Sequence, residues 1–229
     1  MKFGVVIFPG SNCDMDMIYV LESILKKEVV KLWHKDTNLQ ECEFIILPGG
    51  FSFGDYLRSG AIAKFSPIMK EIIGFANAGG FVMGICNGFQ ILCETGLLPG
   101  VLLHNTNHKF ICKNVHLKPF SEDTILTNML SKKAIKIPIA HGEGRYFADK
   151  KVMEDLENNN QILFKYCNEK GEVTADSNPN GSIKNIAGVC NKDRNVFGMM
   201  PHPERASDIE LKSTNGRKLF ESILSKVIA

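Results

Sequence analysis

Phe81-Val82-Met83-Gly84-Ile85-Cys86-Asn87-Gly88-Phe89-Gln90 decides the fold. Phe81 to Ile85 is an apolar run of strand length, and a helix begins near Phe89 and runs to Glu94. Between them, Gly84-Ile85-Cys86-Asn87-Gly88 has the form Gly-x-nucleophile-x-Gly, in which small residues permit a tight strand-to-helix bend. The same strand-then-helix unit recurs upstream. Val5-Val6-Ile7-Phe8 stops at Pro9-Gly10, and Asp14 can cap a helix carrying Ile18, Leu21, Ile24 and Leu25. Val29 to Trp33 is a second strand. Phe44 to Leu47 is a third, stopped by Pro48-Gly49-Gly50. A helix follows near Ala61 to Ala76, where Pro67 kinks or divides it. Continuous apolar strands between amphipathic helices predict an α/β fold, a three-layer sandwich whose mostly parallel central sheet is flanked by helices.

The second half changes character. Strand-like pieces come closely spaced at Phe110 to Leu117, Lys136 to Ala140, Gln161 to Tyr166, Ile186 to Cys190 and Val196 to Met200, with a turn signal at Asn178-Pro179-Asn180-Gly181. These predict added antiparallel strands, and a last helix is expected from about Asn215 to Val227. No linker, repeat or low-complexity tract interrupts the chain, so residues 1–229 read as one domain.

Composition narrows the function. The chain is 44% apolar and 23% charged, which excludes collagen-like and wholly disordered classes. Its 27 basic and 25 acidic residues leave a net charge of +2, too balanced to indicate a nucleic-acid or membrane-surface partner. No apolar run reaches the roughly 18 residues of a membrane span, and Met1-Lys2 ahead of Phe3 to Pro9 is too short and too lightly basic for a signal peptide. Seven cysteines at irregular spacing, none in a Cys-x-x-Cys pair, argue for reduced thiols in a cytoplasmic setting and against a zinc site.

One of those thiols, Cys86, stands at a helix N-terminus, where unpaired N–H groups and the helix dipole favour thiolate. The N–H of Asn87 is placed to donate to an oxyanion. A buried packing cysteine between two glycines gives the same five residues. A nucleophilic thiol needs a base, and of six histidines His202 stands out. It follows the strand at Val196 within Pro201-His202-Pro203-Glu204-Arg205, and Glu204 can orient its imidazole. An exposed charged turn reads the same way. Gly49-Gly50, also just past a strand, can supply a second oxyanion N–H, or be a plain turn. No Gly-x-x-x-x-Gly-Lys-Ser/Thr occurs, so the chain shows no recognisable ATP site.

Gly84 to Gln90 together with His202-Pro203-Glu204 resembles the class I (triad) glutamine amidotransferases, which share a flavodoxin-like architecture. Five segments are similar to the phosphoribosylformylglycinamidine synthase subunit I family, glutaminases of the fourth step of purine synthesis. They are Phe8 to Asp14, Pro48 to Gly60, His141 to Tyr146, Asn178 to Ser182 and Met199 to Arg205. The resemblance implies a single glutamine amidotransferase type-1 domain with Cys86 as nucleophile, His202 as base and then acid, and Glu204 as orienter. It implies oxyanion donors at Gly50, within the Gly49-Gly50 turn, and at Asn87, with Gln90 at the amino-acid end of glutamine. No metal and no cofactor are implied for this chain. ATP and Mg belong to a separate synthetase large subunit, with a small bridging subunit between the two. Met15 and Lys113-Asn114 depart from the family pattern, at positions outside the triad where the surface that meets the synthetase can differ. For His141 to Arg145 no role follows from the residues beyond a tight loop. Two other readings compete: a glutaminase serving a different biosynthetic partner, and a flavodoxin-like binding module with an inert or redox-sensing Cys86.

Overall fold

The computed structural model describes residues 1–121 and 124–225. In chain order the elements are β1 (Lys2–Ile7), α1 (Asp14–Tyr19), β2 (Glu28–Trp33), β3 (Phe44–Leu47), α2 (Pro67–Asn77), β4 (Phe81–Ile85), α3 (Asn87–Glu94), β5 (Val101–Leu103), β6 (Ile111–Pro119), β7 (Ile135–His141), β8 (Arg145–Phe147), α4 (Lys150–Asn158), β9 (Ile162–Cys167), β10 (Ile186–Cys190), β11 (Val196–Met199) and α5 (Arg217–Ser225). They form two compact units, the first from residues 1–99 with 193–198, the second from 100–192 with the remainder.

The first unit is the parallel half. Its strands lie in the order β2-β1-β3-β4-β11, and β1–β2, β1–β3 and β3–β4 all pair in parallel. Every residue of β3 is buried, as a strand covered on both faces must be. Phe3, Phe44 and Phe81 stand in register on β1, β3 and β4. The Phe44 and Phe81 rings stack at 6.1 Å, and Phe81 stacks on Phe197 of β11 at 6.5 Å. This aromatic row pins the N-terminal ends of the strands and leaves their C-terminal ends to the loops.

Three helix expectations are refined. Asp14 is not the cap: Cys13 holds that position without a side-chain bond, and Asp14 opens the first turn, where an acid complements the dipole. The helix continues beyond Tyr19 as a π turn, Val20–Ile24. Pro67 divides the helix expected at Ala61 to Ala76. A 3₁₀ turn, Ala63–Phe65, precedes it, and Pro67 takes the first position of α2, where a missing N–H costs nothing.

The second unit is antiparallel, in the order β10-β9-β6-β7. β7 buries Ile135, Ile137, Ile139 and His141 on one face. It is an edge strand, which is why Pro138 is tolerated within it. Two elements absent from the sequence reading complete this unit: the β5–β8 pair and α4. Asp149 caps α4 by accepting from the Val152 N–H at 2.9 Å. α5 begins at Arg217, later than the expected Asn215, and the expected end at Val227 falls outside the described residues.

Candidate active site

In the first unit, the C-terminal ends of β3 and β4 carry the site. Cys86 follows β4 directly and caps α3, with φ 51° and ψ −105°. That is a left-handed backbone for a residue with a side chain, and such strain costs of order 1–3 kcal/mol and persists only where the surroundings enforce it. They do. A Cβ at Gly88 would lie 1.9 Å from the carbonyl oxygen of Leu47, and a Cβ at Gly84 2.5 Å from the Gly88 backbone. The two glycines let α3 press its first turn onto the end of β3, and Cys86 absorbs the bend. This places the elbow beside Pro48-Gly49-Gly50, which continues from Leu47. Gly50 has φ 134°, and a Cβ there would meet the Asn12 backbone nitrogen at 2.6 Å. The Cys13 N–H donates to the Gly49 carbonyl at 3.3 Å, so the loop after β1 closes over the same turn.

Asn87 and Gln90 are both buried, so neither side chain is a solvated helix residue. The Asn87 side chain makes three hydrogen bonds. Its Oδ1 accepts from the Ser52 N–H at 3.1 Å, and its Nδ2 donates to Gln90 Oε1 at 3.0 Å and to Asp55 Oδ1 at 3.2 Å. The sequence reading gave Asn87 only an oxyanion N–H. Its amide also ties the elbow to the loop Phe51 to Gly60.

In the second unit, His202 and Glu204 form a buried pair. His202 Nδ1 lies 2.6 Å from Glu204 Oε1, and each residue is 1% exposed. An ionised carboxylate only accepts, so Nδ1 carries the proton and Nε2 is the nitrogen left for proton transfer. The second oxygen of Glu204, Oε2, is buried with no hydrogen-bond partner among the described residues. Pro201 and Pro203 hold His202 out of helical geometry. Its N–H donates to the Pro138 carbonyl of β7 at 2.9 Å, and the 3₁₀ turn Pro203–Ala206 follows. The competing reading of this stretch as an exposed charged turn does not hold, since His202 and Glu204 are interior.

A second histidine of this unit was left without a role. His141 is 3% exposed, and its Nδ1 lies 3.1 Å from Asn105 Oδ1. Burial first, and then the charge of His202, push its pKa down to about 4. It is neutral at physiological pH. Two of the sequence segments meet here. Asn180 Nδ2 donates to the Gly144 carbonyl at 2.8 Å, and Ser182 Oγ accepts from the Tyr146 N–H at 3.0 Å. Asn105 Nδ2 donates to the His141 carbonyl at 2.9 Å, while Asn105 Oδ1 accepts from the Gly144 N–H at 3.2 Å. The segments His141 to Tyr146 and Asn178 to Ser182 thus interlock through side chains distant in sequence, a pattern that no local motif announces.

All seven cysteines carry free thiols. Burial raises the pKa of Cys167 to about 11 and that of Cys93 higher still, which makes both poor nucleophiles.

Known proteins bear on this geometry. Residues 1–224 match the CobB/CobQ-like glutamine amidotransferase domain. The phosphoribosylformylglycinamidine synthase subunit PurQ of Koribacter versatilis is 53% identical, over 98% of this chain and 97% of its own. The PurQ subunit of Chlorobium chlorochromatii is 55% identical, over 96% and 94%. A solved structure of PurLQS from Thermotoga maritima contains a chain 45% identical to this one, with a TM-score of 0.86 over 99% of this chain and 98% of that one. The chain belongs to the CobB/CobQ-like glutamine amidotransferase family, among its phosphoribosylformylglycinamidine synthase PurQ subunits.

Proposed function

We propose that this chain is the glutaminase subunit of phosphoribosylformylglycinamidine synthase, with Cys86, His202 and Glu204 as its triad. In this reading residues 1–229 act as one catalytic domain. The Cys86 thiolate attacks the side-chain amide carbon of glutamine. Negative charge develops on the amide oxygen, where the N–H groups of Gly50 and Asn87 receive it. His202, held by Glu204, passes a proton from Nε2 to the amide nitrogen, the C–N bond breaks, and ammonia leaves a γ-glutamyl thioester. His202 then takes a proton from water. The hydroxide adds to the thioester carbon, the C–S bond breaks, and glutamate departs with the thiolate restored. Gln90 holds the amino-acid end of the substrate.

Ammonia passes to a separate synthetase, which uses ATP and Mg to convert formylglycinamide ribonucleotide to the amidine, with a small third subunit bridging the two. This chain needs no cofactor of its own. Among the described residues no helix is long and apolar enough to cross a membrane, and the purine-pathway reading carries a cytoplasmic setting.

The observation that carries the proposal is the Cys86 backbone, forced into the left-handed region by two glycines that admit no side chain. The test is covalent labelling with a glutamine-mimicking diazoketone and peptide mapping, with and without the synthetase. Mapping is required because Cys112 is exposed. Labelling of Cys86 is expected. A folded chain whose Cys86 stays unlabelled even beside the synthetase overturns the reading.

A further inference from the structure

Asn105 is fully buried in the second unit and fastens two loops to each other. Its Nδ2 donates to the carbonyls of Lys109 at 2.8 Å and His141 at 2.9 Å, and its Oδ1 accepts from the Gly144 N–H at 3.2 Å. Two further bonds fix the backbone beside it. The His108 N–H donates to the Asn105 carbonyl at 2.9 Å, and Arg145 Nε donates to the His104 carbonyl at 2.9 Å. Both loops are thus held from inside, while His104 and His108 on either side of Asn105 are exposed. Glu143, from the loop for which the sequence offered no role, is half-buried beside His104. His104 Nδ1 lies 3.4 Å from Glu143 Oε1, and the His104 and His108 rings stand 6.0 Å apart, centroid to centroid.

Two imidazoles and one carboxylate, with His104 in reach of both others, are the donor set of a three-ligand site for a divalent transition metal. Imidazole nitrogen suits Zn²⁺, Cu²⁺ and Ni²⁺, whereas Ca²⁺ needs more oxygen ligands than one carboxylate supplies. Metal–nitrogen bonds of about 2.0–2.1 Å would draw the two rings closer than they stand. Closing that distance takes rotation of exposed side chains, and the backbone that carries them need not move. We infer that His104, His108 and Glu143 bind a divalent transition-metal ion of the Zn²⁺ class, with water completing its coordination. The cysteine spacing that argues against a zinc site concerns thiolate ligands and does not bear on this one. None of the three residues belongs to the triad, so the ion takes no part in bond breaking, and the inference does not depend on the glutaminase reading. Its effect is on the fold: an ion shared by the two loops clamps Glu143 to His104 and His108, and binding to the folded chain alone raises stability.

The test titrates Zn²⁺ into the metal-stripped full chain by calorimetry, for wild type, His104→Gln, His108→Gln, Glu143→Gln and Cys112→Ser. The last removes an exposed thiol that could take the ion instead. Wild type is expected to bind Zn²⁺ and to gain Tm from it. Each of the first three substitutions is expected to weaken that binding by at least about tenfold, since even the loss of an outer-shell partner does so. Cys112→Ser is expected to leave it unchanged. A wild-type chain that takes up no Zn²⁺ overturns the inference. So does a smaller fall in any of the three ligand variants, and so does weakened binding in Cys112→Ser. Should a ligand variant not fold, Ni²⁺ is added to the wild-type chain and the six histidine rings are followed by NMR. Paramagnetic broadening is expected at His104 and His108 before the other rings, and broadening that begins elsewhere overturns the inference.

Discussion

The two units hold their reactive side chains by different means. In the first, backbone sterics fix Cys86: two glycines without room for a Cβ, and a left-handed residue between them. In the second, side chains do the holding: a carboxylate sits on one ring nitrogen of His202, and a web of asparagine and serine bonds surrounds the buried, neutral His141. A steric device depends on the absence of atoms and fails when one is added. A hydrogen-bonded device depends on protonation state and fails when pH changes.

Gly88→Ala is the sharpest way to break the first device, and it carries the largest expected effect. Its Cβ would sit 1.9 Å from a backbone oxygen that belongs to the buried strand β3 and has no room to retreat. The loss is expected to be about 3 kcal/mol or more, at the upper end for overpacking. Gly142→Ala is the control from the second unit. A Cβ there finds nothing nearer than Phe110 Cδ2 at 3.9 Å, and a change within about 0.5 kcal/mol is expected. Denaturant midpoints of the two variants decide. Equal losses would show that glycine spacing matters alike in both units and would dissolve the distinction.

Acid should break the second device. His141 has its pKa pushed down to about 4 by burial and by the charge of His202, against an ordinary value of 6.5. Above pH 6.5 folded and unfolded chains both hold this ring neutral, and its contribution to stability is complete. Between pH 6.5 and about 4 the unfolded chain takes up a proton that the folded chain refuses, so stability falls as pH falls. Below about 4 both forms are protonated and the loss is constant, at about 3 kcal/mol for the full window. NMR titration of the ring should show no protonation between pH 8 and 5, and His141→Asn should flatten this part of the pH–stability curve. A ring titrating near 6.5 would contradict the burial argument.

What could be read from sequence follows the same division. The elbow was legible because a steric requirement leaves glycines at fixed offsets from the nucleophile, and the parallel strands were legible because burial on both faces leaves unbroken apolar runs. Asp14 was misassigned by one position, since an acid serves a helix start equally as cap and as first-turn residue. Pro67 was correctly suspected of dividing a helix, because its ring forbids continuation wherever it falls. The network of Asn105, His141, Gly144, Asn180 and Ser182 was illegible. Its partners are up to 39 residues apart across one of these bonds, and polar residues in Gly- and Asn-rich stretches look like solvated loops until burial is known.

The smallest expected effect concerns α4, which the sequence reading passed over. Only Met153 and Leu156 of its nine residues are buried, so its charged face hid the apolar stripe. Its start was nonetheless marked, since Asp149 Oδ1 accepts from the Val152 N–H at 2.9 Å, three residues on, as a helix cap does. Asp149→Ala removes one bond at an exposed helix end, touches neither the elbow nor the histidine network, and should cost about 1 kcal/mol. Its glutaminase activity should equal that of the wild type. The pair of measurements sharpens the comparison between units. A cap is a third kind of device, local in sequence and hydrogen-bonded in character, and its loss should be indifferent to pH between 5 and 8. A cost growing toward acid in this variant would tie α4 to His141 and make the polar half of the molecule one cooperative network rather than a network beside an ordinary helix.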